Sequence, residues 1–417
     1  MRRILVSAYD VNPYRGSESG MGWNFILQAA RRHRVEAVTR ENNRPDIERF
    51  VRENGLDPGN PRFHYFDLPR IARFWKRGPW GASAYFYLWQ LFLPFFVRRR
   101  RIAFDLAHNL NFHTDWVPSF LWLLGKPLVW GPVGHHPPIP AEFLRPYGVR
   151  AYLADRARWA VKRLFWACDP WLRACARKAK AVLVMNSRVS GVLDLDPQSV
   201  VRFPSVGTED PGQAAPPPEE PFTVLSVGRF VPLKGFDVAI RAFARAAGAL
   251  GPSERERFRL VLVGRGPAEP LLRRLAAGLG VERRVEFVPW VKRSLLPDFY
   301  RRASVFLFPS HEGAGMVVAE ALSHGRPVLC FDNAGPGELV DDSAGLRVPY
   351  AGYDRAVEAF AAHLVRLYRS PDLRCRMSEA ARRRFEEAFD WRVKGARLDE
   401  IYRSVMEPCA RWSACIS

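Results

Sequence analysis

Short β-rich runs alternate with helical stretches along nearly the whole sequence, and this alternation constrains the fold more than any other feature. Continuous apolar strands separated by helices are typical of a parallel sheet that is covered on both faces. The sequence therefore predicts an α/β fold. The first half has a predicted helix at residues 22–33 and predicted strands at 2–10, 35–40, 62–69, 104–109, 127–133 and 181–187.

A polar, proline-rich stretch interrupts this pattern in the middle of the chain. Residues 208–221, "TEDPGQAAPPPEEP", have no hydrophobic periodicity, which is typical of a semi-rigid linker. The alternation then restarts, so we expect two doubly wound, Rossmann-like domains, 1–207 and 222–389, that face each other across a cleft. Within 390–417, apolar residues at near-helical spacing predict a last helix that crosses back toward the first domain. The second half has predicted strands at 222–230, 258–266, 285–291, 304–310 and 327–331, and predicted helices at 235–248, 267–279 and 315–324.

The net charge of the chain limits the kinds of partner that we expect. With 63 Lys and Arg against 43 Asp and Glu, the formal net charge is +20. This charge favours nucleic acid, an acidic membrane face or phosphorylated metabolites. No DNA-binding or RNA-binding motif stands out, so we expect no nucleic-acid partner. Because the six cysteines form no C-x-x-C pair and no secretory signal precedes the first strand, we expect a cytoplasmic location.

Two segments of the first half combine apolar and basic residues. The run 84–97, "AYFYLWQLFLPFFV", is too short to span a bilayer and is followed by four arginines. It is either a buried helix or an interfacial segment that Arg98–Arg101 hold on anionic lipid. In 150–180, an apolar helical stripe that includes Leu153 and Leu164 lies beside a second face, which is either solvated or in contact with an anionic membrane. That second face carries Arg156, Trp159, Arg163 and Trp166.

The segment 310–329, "SHEGAGMVVAEALSHGRPVL", follows a predicted strand and contains two acids. Gly313 and Gly315 let the backbone approach a ligand closely, and the free N–H groups at the start of the next helix favour an anion. Those N–H groups belong to Ala314, Gly315, Met316 and Val317. Glu312 precedes the helix and Glu320 lies inside it, at most about 12 Å away. This span suits a ligand with a sugar at one acid, a ribose at the other and a diphosphate between them. Alternatively, Glu320 is a partly buried acid that backbone groups or an arginine satisfy.

The stretch "SVGRFVPLKGF" places Arg229 just after a predicted strand and Lys234 five residues later. Strand-end geometry points both cations toward the ligand site, where a diphosphate would accept charge-assisted hydrogen bonds of about 1.5–3 kcal/mol each. The alternative is a pair of surface cations beside a loop. The "GRGPAE" stretch at 264–269 lacks the third glycine of a dinucleotide fingerprint, so we expect no such cofactor.

Glycines and histidines of the first half also lie at predicted strand ends. In "NPYRGSESGMGW", we expect a turn that contains Gly16, Gly20 and Gly22, and this turn either approaches the phosphates of the ligand from the first domain or is an ordinary glycine-rich loop. One histidine orients an acceptor hydroxyl or a reaction-centre oxygen. The candidates are His108, His113 and His135, with His136 beside them. No cysteine or acid pattern supports a zinc site, so we expect no metal ion.

Taken together, these residues resemble the retaining glycosyltransferases of family 4, which have the GT-B fold. The matching stretches are "VGRFVPLKGF", "LVLVGRGP", "FVPWV", "LFPSHEGAGMVVAEALSHGRPVL", "GPGELV" and "FDWRVKGARLDEIY". The first half is similar to a subgroup with "GSESGMGW" and "PLVWGPVG". The sequence departs from the family at Ala314, where a bulky aromatic residue is usual, and at His311.

The resemblance implies that Arg229 and Lys234 bind the donor diphosphate, Glu312 the donor sugar and Glu320 the ribose. It adds Trp290, in "FVPWV", to the donor-binding residues. It further implies that a sugar passes from a nucleoside diphosphate sugar to a hydroxyl of a glycan, lipid-linked or small-molecule acceptor. Retention of anomeric configuration, independence of metal ions and cofactors, and a role in cell-envelope polysaccharide or glycoconjugate synthesis are expected. Two alternatives stay open: a sugar-nucleotide epimerase of similar two-domain fold, and a non-catalytic sugar-nucleotide-binding protein.

Overall fold

The computed structural model describes residues 1–73, 76, 81–110, 114–212 and 214–407. Within them the chain forms two compact units. The first unit consists of Met1–His135, Val161–Ser205 and the chain from Trp391 onward, and the second consists of His136–Ala160 and Val206–Asp390. Residues 136–160 of the N-terminal half thus belong to the unit that contains the second sheet.

The first unit is built on one parallel sheet. Its strand order is β3-β2-β1-β4-β5-β6-β7, and each neighbouring pair is parallel. The order reverses direction between β1 and β4, which is the switch point of a doubly wound sheet. The strands are β1 Arg3–Ala8, β2 Arg34–Thr39, β3 Arg62–Tyr65, β4 Leu106–Leu110, β5 Leu128–Val133, β6 Ala181–Val184 and β7 Val200–Arg202.

The second unit repeats this plan with six parallel strands in the order β10-β9-β8-β11-β12-β13. Its switch point lies between β8 and β11. The strands are β8 Phe222–Val227, β9 Phe258–Val263, β10 Val285–Val288, β11 Val305–Phe308, β12 Val328–Phe331 and β13 Gly345–Val348. The predicted α/β class, with two sheets of parallel strands, is confirmed.

Helices connect the strands as parallel crossovers require. Up to residue 205 they are α1 Ser17–Ala30, α2 Arg44–Glu53, α3 Arg70–Arg73, α4 Ala82–Arg99, α5 Ala141–Leu144, α6 Gly148–Cys168, α7 Pro170–Lys178 and α8 Arg188–Leu193. Beyond it they are α9 Phe236–Gly248, α10 Pro252–Glu256, α11 Glu269–Gly278, α12 Leu296–Arg302, α13 Met316–Ser323, α14 Pro336–Leu339, α15 Tyr353–Arg369, α16 Pro371–Ala388 and α17 Trp391–Met406.

The sheet of the second unit is covered on both faces. One apolar cluster joins strand residues to α9, α11 and α15, and it includes Phe143 of α5. A second cluster joins the strands to α13 and α16. Burial on both faces explains why the strands are continuous apolar runs with no polar alternation.

The first helix begins five residues before its predicted start. It runs from Ser17, so Gly20 and Gly22 lie inside α1, and the predicted glycine-rich turn is reduced to the residues before Ser17. A Cβ at Gly22 would lie 2.7 Å from the carbonyl oxygen of Asp10. This close approach of helix to loop, rather than a phosphate, accounts for glycine at position 22.

The apolar run 84–97 forms most of α4, and one face of this helix is buried, as the buried-helix interpretation predicted. Phe92 and Phe95 are exposed on its other side. No helix within the described residues is long and apolar enough to cross a membrane. Interfacial contact of this segment stays a prediction.

Helix α6 presents its predicted stripes with unexpected burial. Leu153 and Leu164 of the apolar stripe are exposed, whereas Asp155 is buried. On the other stripe, the Arg156 guanidinium donates to the carbonyl oxygen of Ile139, and both residues belong to the second unit. The helical period predicts which residues share a face of α6, but it does not predict which face is buried against the protein.

Helix α17 packs within the first unit. The Trp391 ring lies 5.4 Å from that of Phe25, and Asp399 accepts a hydrogen bond from Arg32 and pairs with His33 at 2.8 Å. The chain therefore returns to its first sheet after completing its second.

Candidate ligand site at the switch point of the second sheet

Two loops leave the carboxyl ends of β8 and β11, the neighbouring strands at the switch point. The loop after β8 contains Arg229 and Lys234, and the loop after β11 contains Glu312. In open α/β sheets, ligands bind in the crevice outside the carboxyl ends of the strands at this point. The topology thus brings the predicted catalytic residues to the place where a ligand site is expected.

Backbone contacts hold these loops together. The N–H of His311 donates to the carbonyl oxygen of Leu233 at 2.8 Å, and the Ser310 hydroxyl donates to the same oxygen at 3.1 Å. Gly235 has φ +65°, and a Cβ there would lie 1.9 Å from the carbonyl oxygen of Pro309. Only glycine fits this contact, so Gly235 fixes the distance between the loops.

The contact between the loops places Lys234 and Glu312 in an ion pair. The Lys234 Nζ atom donates to Glu312 Oε2 at 2.6 Å and lies 5.0 Å from the centre of the Phe308 ring. The other carboxylate oxygen, Oε1, is buried and has no hydrogen-bond partner within the described residues. A buried acceptor without a donor costs about 1–3 kcal/mol, which a ligand hydroxyl group at this position would offset. Sequence reasoning assigned the two residues separate roles and did not foresee the pair.

The loop that carries Glu312 is fixed from behind by the residues that follow β12. The Asn333 side chain donates to the carbonyl oxygen of Ser310 at 2.9 Å and accepts from the Gly335 N–H at 3.0 Å. A Cβ at Gly335 would lie 1.8 Å from the carbonyl oxygen of Glu312. Asn333 and Gly335 therefore position the acid without adding a charge. Neither residue was predicted, although both follow a buried strand, which is a position where site residues are expected.

His311 is a supporting residue of the same loop. Its ring stacks on Phe331, with 5.2 Å between ring centres, and its Nδ1 atom hydrogen-bonds the Tyr350 hydroxyl at 2.8 Å. Burial lowers the pKa of His311 to about 3, so the ring is neutral near pH 7. This buried histidine braces the loop and adds no positive charge to the site.

The start of α13 supplies backbone donors next to Glu312. Helix α13 begins at Met316, and its N-cap residue, Gly315, provides no side-chain cap. The first-turn N–H groups, including those of Met316 and Val317, have no intrahelical acceptor and carry partial positive charge. Just before these groups, the N–H of Gly313 donates to His136 Nδ1 at 2.9 Å. Ala314 packs against the apolar cluster beneath.

Glu320 lies one turn into α13 and has its own partners. Its Oε2 atom accepts from the Tyr300 hydroxyl at 2.9 Å, and its Oε1 atom lies 4.0 Å from an Arg293 guanidinium nitrogen. Burial raises the pKa of Glu320, and Arg293 and Tyr300 oppose this rise. The acid thus has both a ring hydroxyl and an arginine as partners, as the structural alternative proposed. Whether it also accepts from a ribose stays a prediction.

Exposed side chains surround this buried centre. Arg229 is exposed, and its guanidinium group has no hydrogen-bond or ion-pair partner in the part of the chain that the structure describes. Arg265, just after β9, is also exposed, and its carbonyl oxygen accepts from the Phe230 N–H at 2.8 Å. Arg265 was not among the predicted site residues, although it lies in the matching stretch "LVLVGRGP". Trp290 follows β10 and is 64% exposed.

The candidates of the first unit differ in exposure. Gly16 precedes α1 with extended backbone. His108 is fully buried; its Nε2 atom pairs with the carbonyl oxygen of Gly131 at 2.9 Å and its Nδ1 atom with the Tyr402 hydroxyl at 2.6 Å. Burial lowers the pKa of His108 to about 4. Both ring nitrogens are thus occupied by protein groups, so His108 does not fit the expected role of orienting a substrate hydroxyl or a reaction-centre oxygen.

His135 follows β5 and is held by a buried acid. Its Nδ1 atom donates to Asp115 Oδ2 at 2.5 Å, and its ring lies 5.4 Å from that of Trp166. The carboxylate fixes the tautomer, so Nε2 is the nitrogen without a proton when the ring is neutral. The remaining candidate, His113, lies outside the described residues.

Part of the sequence matches a known protein family. Residues 209–384 match the family model described as "Glycosyl transferases group 1". A D-inositol 3-phosphate glycosyltransferase of Streptomyces scabiei is 36% identical over 202 residues, which are 47% of this chain and 44% of that protein. A D-inositol 3-phosphate glycosyltransferase of Acidothermus cellulolyticus is 42% identical over 166 residues, or 38% and 36% of the two chains. The matches span less than half the length of these curated relatives.

Similarity to a solved structure extends over nearly the whole chain. A glycosyltransferase from Rickettsia africae has a TM-score of 0.64 at 14% identity, covering 98% of this chain and 99% of that one. This likeness, together with the two parallel sheets, shows the GT-B fold. The chain therefore has the GT-B fold, and its residues 209–384 match the glycosyl transferases group 1 family model.

Proposed function

We propose that the chain is a retaining glycosyltransferase of family 4, which moves a sugar from a nucleoside diphosphate sugar to a hydroxyl acceptor. The observation that carries the proposal is the Lys234–Glu312 pair at the start of α13, with a buried carboxylate oxygen that lacks a donor. A cation, an acid and free helix N–H groups are the three elements that a sugar diphosphate requires. The Anabaena protein HepE, which has the same fold, was solved in complex with UDP.

The expected chemistry involves no protein nucleophile. The bond between the sugar C1 and the diphosphate oxygen breaks, a bond from C1 to the acceptor oxygen forms on the same face, and the acceptor proton passes to the leaving phosphate. Lys234, Arg229 and the amides of α13 stabilise the negative charge that grows on that phosphate. Glu312 accepts hydrogen bonds from the donor sugar and orients it. Independence of metal ions and cofactors remains part of the proposal.

The acceptor and location are finer parts of the same proposal. An acceptor in cell-envelope polysaccharide or glycoconjugate synthesis, reached by peripheral contact with an anionic membrane, fits the exposed Phe92 and Phe95 on α4 and the arginines at its end. Flotation with anionic vesicles and with phosphatidylcholine vesicles tests the membrane contact. Equal recovery on both kinds of vesicle would contradict it.

Substitutions in the pair test the catalytic proposal. We expect Lys234→Ala and Glu312→Ala each to lower turnover at least about a hundredfold, or about 2.7 kcal/mol in the barrier. The matched controls, Arg355→Ala and Glu379→Ala, remove the same charges from exposed helix positions of the second unit, and we expect them to keep normal turnover. Incubation with a panel of nucleoside diphosphate sugars and acceptors provides the assay.

Product analysis separates the enzyme classes. A new glycosidic bond whose anomeric configuration equals that of the donor supports the proposal. An epimerised nucleotide sugar without transfer would point to the epimerase, and binding without any product would point to the non-catalytic alternative. Normal turnover of Lys234→Ala and Glu312→Ala would show that the proposed residues are wrong even if transfer occurs.

A further inference from the structure

A cavity of about 680 Å³ opens at the amino ends of the first three strands of the first sheet. Arg3, Arg34 and Arg62 are the first residues of β1, β2 and β3 and line it, together with Arg100 and Arg101 from the end of α4. Its volume lies in the range of small-molecule sites. The switch-point crevice of this sheet lies at the carboxyl ends of the strands, so this cavity is at the opposite edge.

Strand register places like charges side by side in this cavity. Arg3 is the register partner of Arg34, and Glu36 is the partner of Arg62. Residues paired across parallel strands point to the same face, and residues two apart along one strand share that face. The three arginines therefore share one face of the sheet. Like charges directly opposite each other destabilise a sheet, so the arrangement favours a counter-ion between them.

Two acids, Glu36 and Asp57, line the cavity, and a third, Asp105, lies beside it and accepts from the backbone N–H of Arg3 at 2.9 Å. Glu36 pairs with His64 at 2.5 Å, and Asp57 accepts from the Gly59 N–H at 2.7 Å. Two acids against five arginines leave three positive charges along the cavity lining.

Within the described residues, no carboxylate forms an ion pair with any of the five guanidinium groups. Other arginines of the same unit do find carboxylates. Arg44 pairs with Glu48 at 2.7 Å, and Arg49 pairs with Asp46 at 3.0 Å. The absence of ion pairs in the cavity is therefore a local feature and does not follow from a shortage of acids in the unit.

We propose that this arginine cavity binds the phosphate group of an anionic ligand. Guanidinium groups donate two parallel hydrogen bonds to phosphate oxygens, and a phosphate between Arg3 and Arg34 turns their repulsion into two charge-assisted contacts. Three surplus charges match a phosphate monoester or a diphosphate better than a single carboxylate. The phosphate belongs either to a soluble phosphorylated compound or to a lipid headgroup, and this inference does not depend on the proposed transferase activity.

Calorimetric titration with inorganic pyrophosphate at low salt tests the cavity. The test variant is Arg34→Gln/Arg62→Gln, and the control is Arg44→Gln/Arg49→Gln, which removes the same charge from helix α2 of the same unit. We expect the test variant to lose one class of sites, with at least tenfold weaker binding, and the control to bind within about twofold of the wild type. A Lys234→Ala protein should keep this class of sites, which distinguishes the cavity from the proposed donor site.

Flotation separates the two sources of phosphate. If the test variant binds vesicles of phosphatidic acid less than the control does, the ligand is a lipid headgroup. If both variants bind vesicles equally while pyrophosphate binding is lost, the ligand is soluble. Pyrophosphate binding that is the same in the test and control variants would overturn the proposal. Arg34→Gln relieves repulsion with Arg3, whereas Arg62→Gln removes the register partner of Glu36, so the two effects on stability oppose each other. A Tm of the test variant equal to that of the control variant, both without pyrophosphate, shows that a loss of binding is not a loss of folding.

Discussion

Replacing both members of the Lys234–Glu312 pair separates its role in the fold from its role in chemistry. The two side chains are 18% and 14% exposed. Lys234→Met alone leaves the Glu312 carboxylate without any donor, because Oε1 already lacks one within the described residues. The double variant, Lys234→Met/Glu312→Gln, removes both charges and leaves no buried ion. We therefore expect the single lysine substitution to be the less stable protein.

The magnitude follows from the 2.6 Å distance. With an effective dielectric constant of about 20, Coulomb's law gives about 6 kcal/mol of gross attraction. Desolvation of two mostly buried groups cancels several kcal/mol of this. We expect Lys234→Met to lower the free energy of unfolding by about 2 kcal/mol, which is about 4–8 °C in Tm for a unit of this size. The double variant should recover at least half of this loss.

Urea unfolding and turnover are measured on the same four proteins: the wild type, the two single variants and the double variant. We expect stability to return in the double variant while turnover stays at least about a hundredfold below the wild type. Turnover that recovers together with stability would refute the reasoning, since the pair would then serve only to hold the two loops together. Turnover that stays low shows that the charges themselves act on the substrate.

Three further predictions concern the surroundings of the site and the first unit. Gly235→Ala should lower the free energy of unfolding, measured in urea, by at least about 3 kcal/mol, because the left-handed backbone and a carbonyl oxygen 1.9 Å away leave no room for a Cβ. The control Gly248→Ala, with open space around the new Cβ, should be neutral or stabilising. Tyr300→Phe should weaken nucleotide binding about tenfold while kcat stays within about twofold, because Glu320 loses the hydroxyl that orients it; an unchanged Kd would argue against a ribose contact. Burial lowers the pKa of Lys394 from 10.5 to about 7. Between these pH values the unfolded chain holds a proton that the folded chain lacks, so the free energy of unfolding falls as the pH drops from 10 to 7, by up to about 1.4 kcal/mol per pH unit. Lys394→Met should flatten this slope in urea titrations at pH 7, 8 and 9, and an unchanged slope would contradict it.

The fold was predictable because burial on both faces of a parallel sheet leaves a direct mark on the sequence. Strands β8 and β11 begin within one residue of their predicted starts, and helix α9 begins at Phe236 against a predicted 235. The start of α1 was missed because Gly20 and Gly22 are poor helix formers. Their place in the helix follows from a tertiary contact, the approach of Gly22 to Asp10.

The sequence suggests the charged residues of the candidate site but not the contacts that organise them. Arg229, Lys234 and Glu312 could be proposed because loops at strand ends with glycines and charges form a local signal, and their roles stay predictions. The ion pair joins residues 78 positions apart, and Asn333 reaches back to Ser310. Such contacts depend on strand order, which a single sequence does not reveal.

Glu312 and Glu320 differ in the protein contacts that a ligand would have to replace. Glu312 is paired with a cation, and a diphosphate that takes Lys234 from it would leave the carboxylate free to accept sugar hydroxyls. A sugar without a diphosphate would find Lys234 still bound at 2.6 Å, so the two ends of the donor are expected to bind cooperatively. Glu320 holds its Tyr300 hydrogen bond through Oε2, and its Oε1 atom lies 4.0 Å from Arg293, so in the proposed function a ribose would share Oε1 with the arginine. In the proposed function, the pairing of Glu312 with Lys234 would therefore make recognition of the sugar depend on recognition of the phosphates.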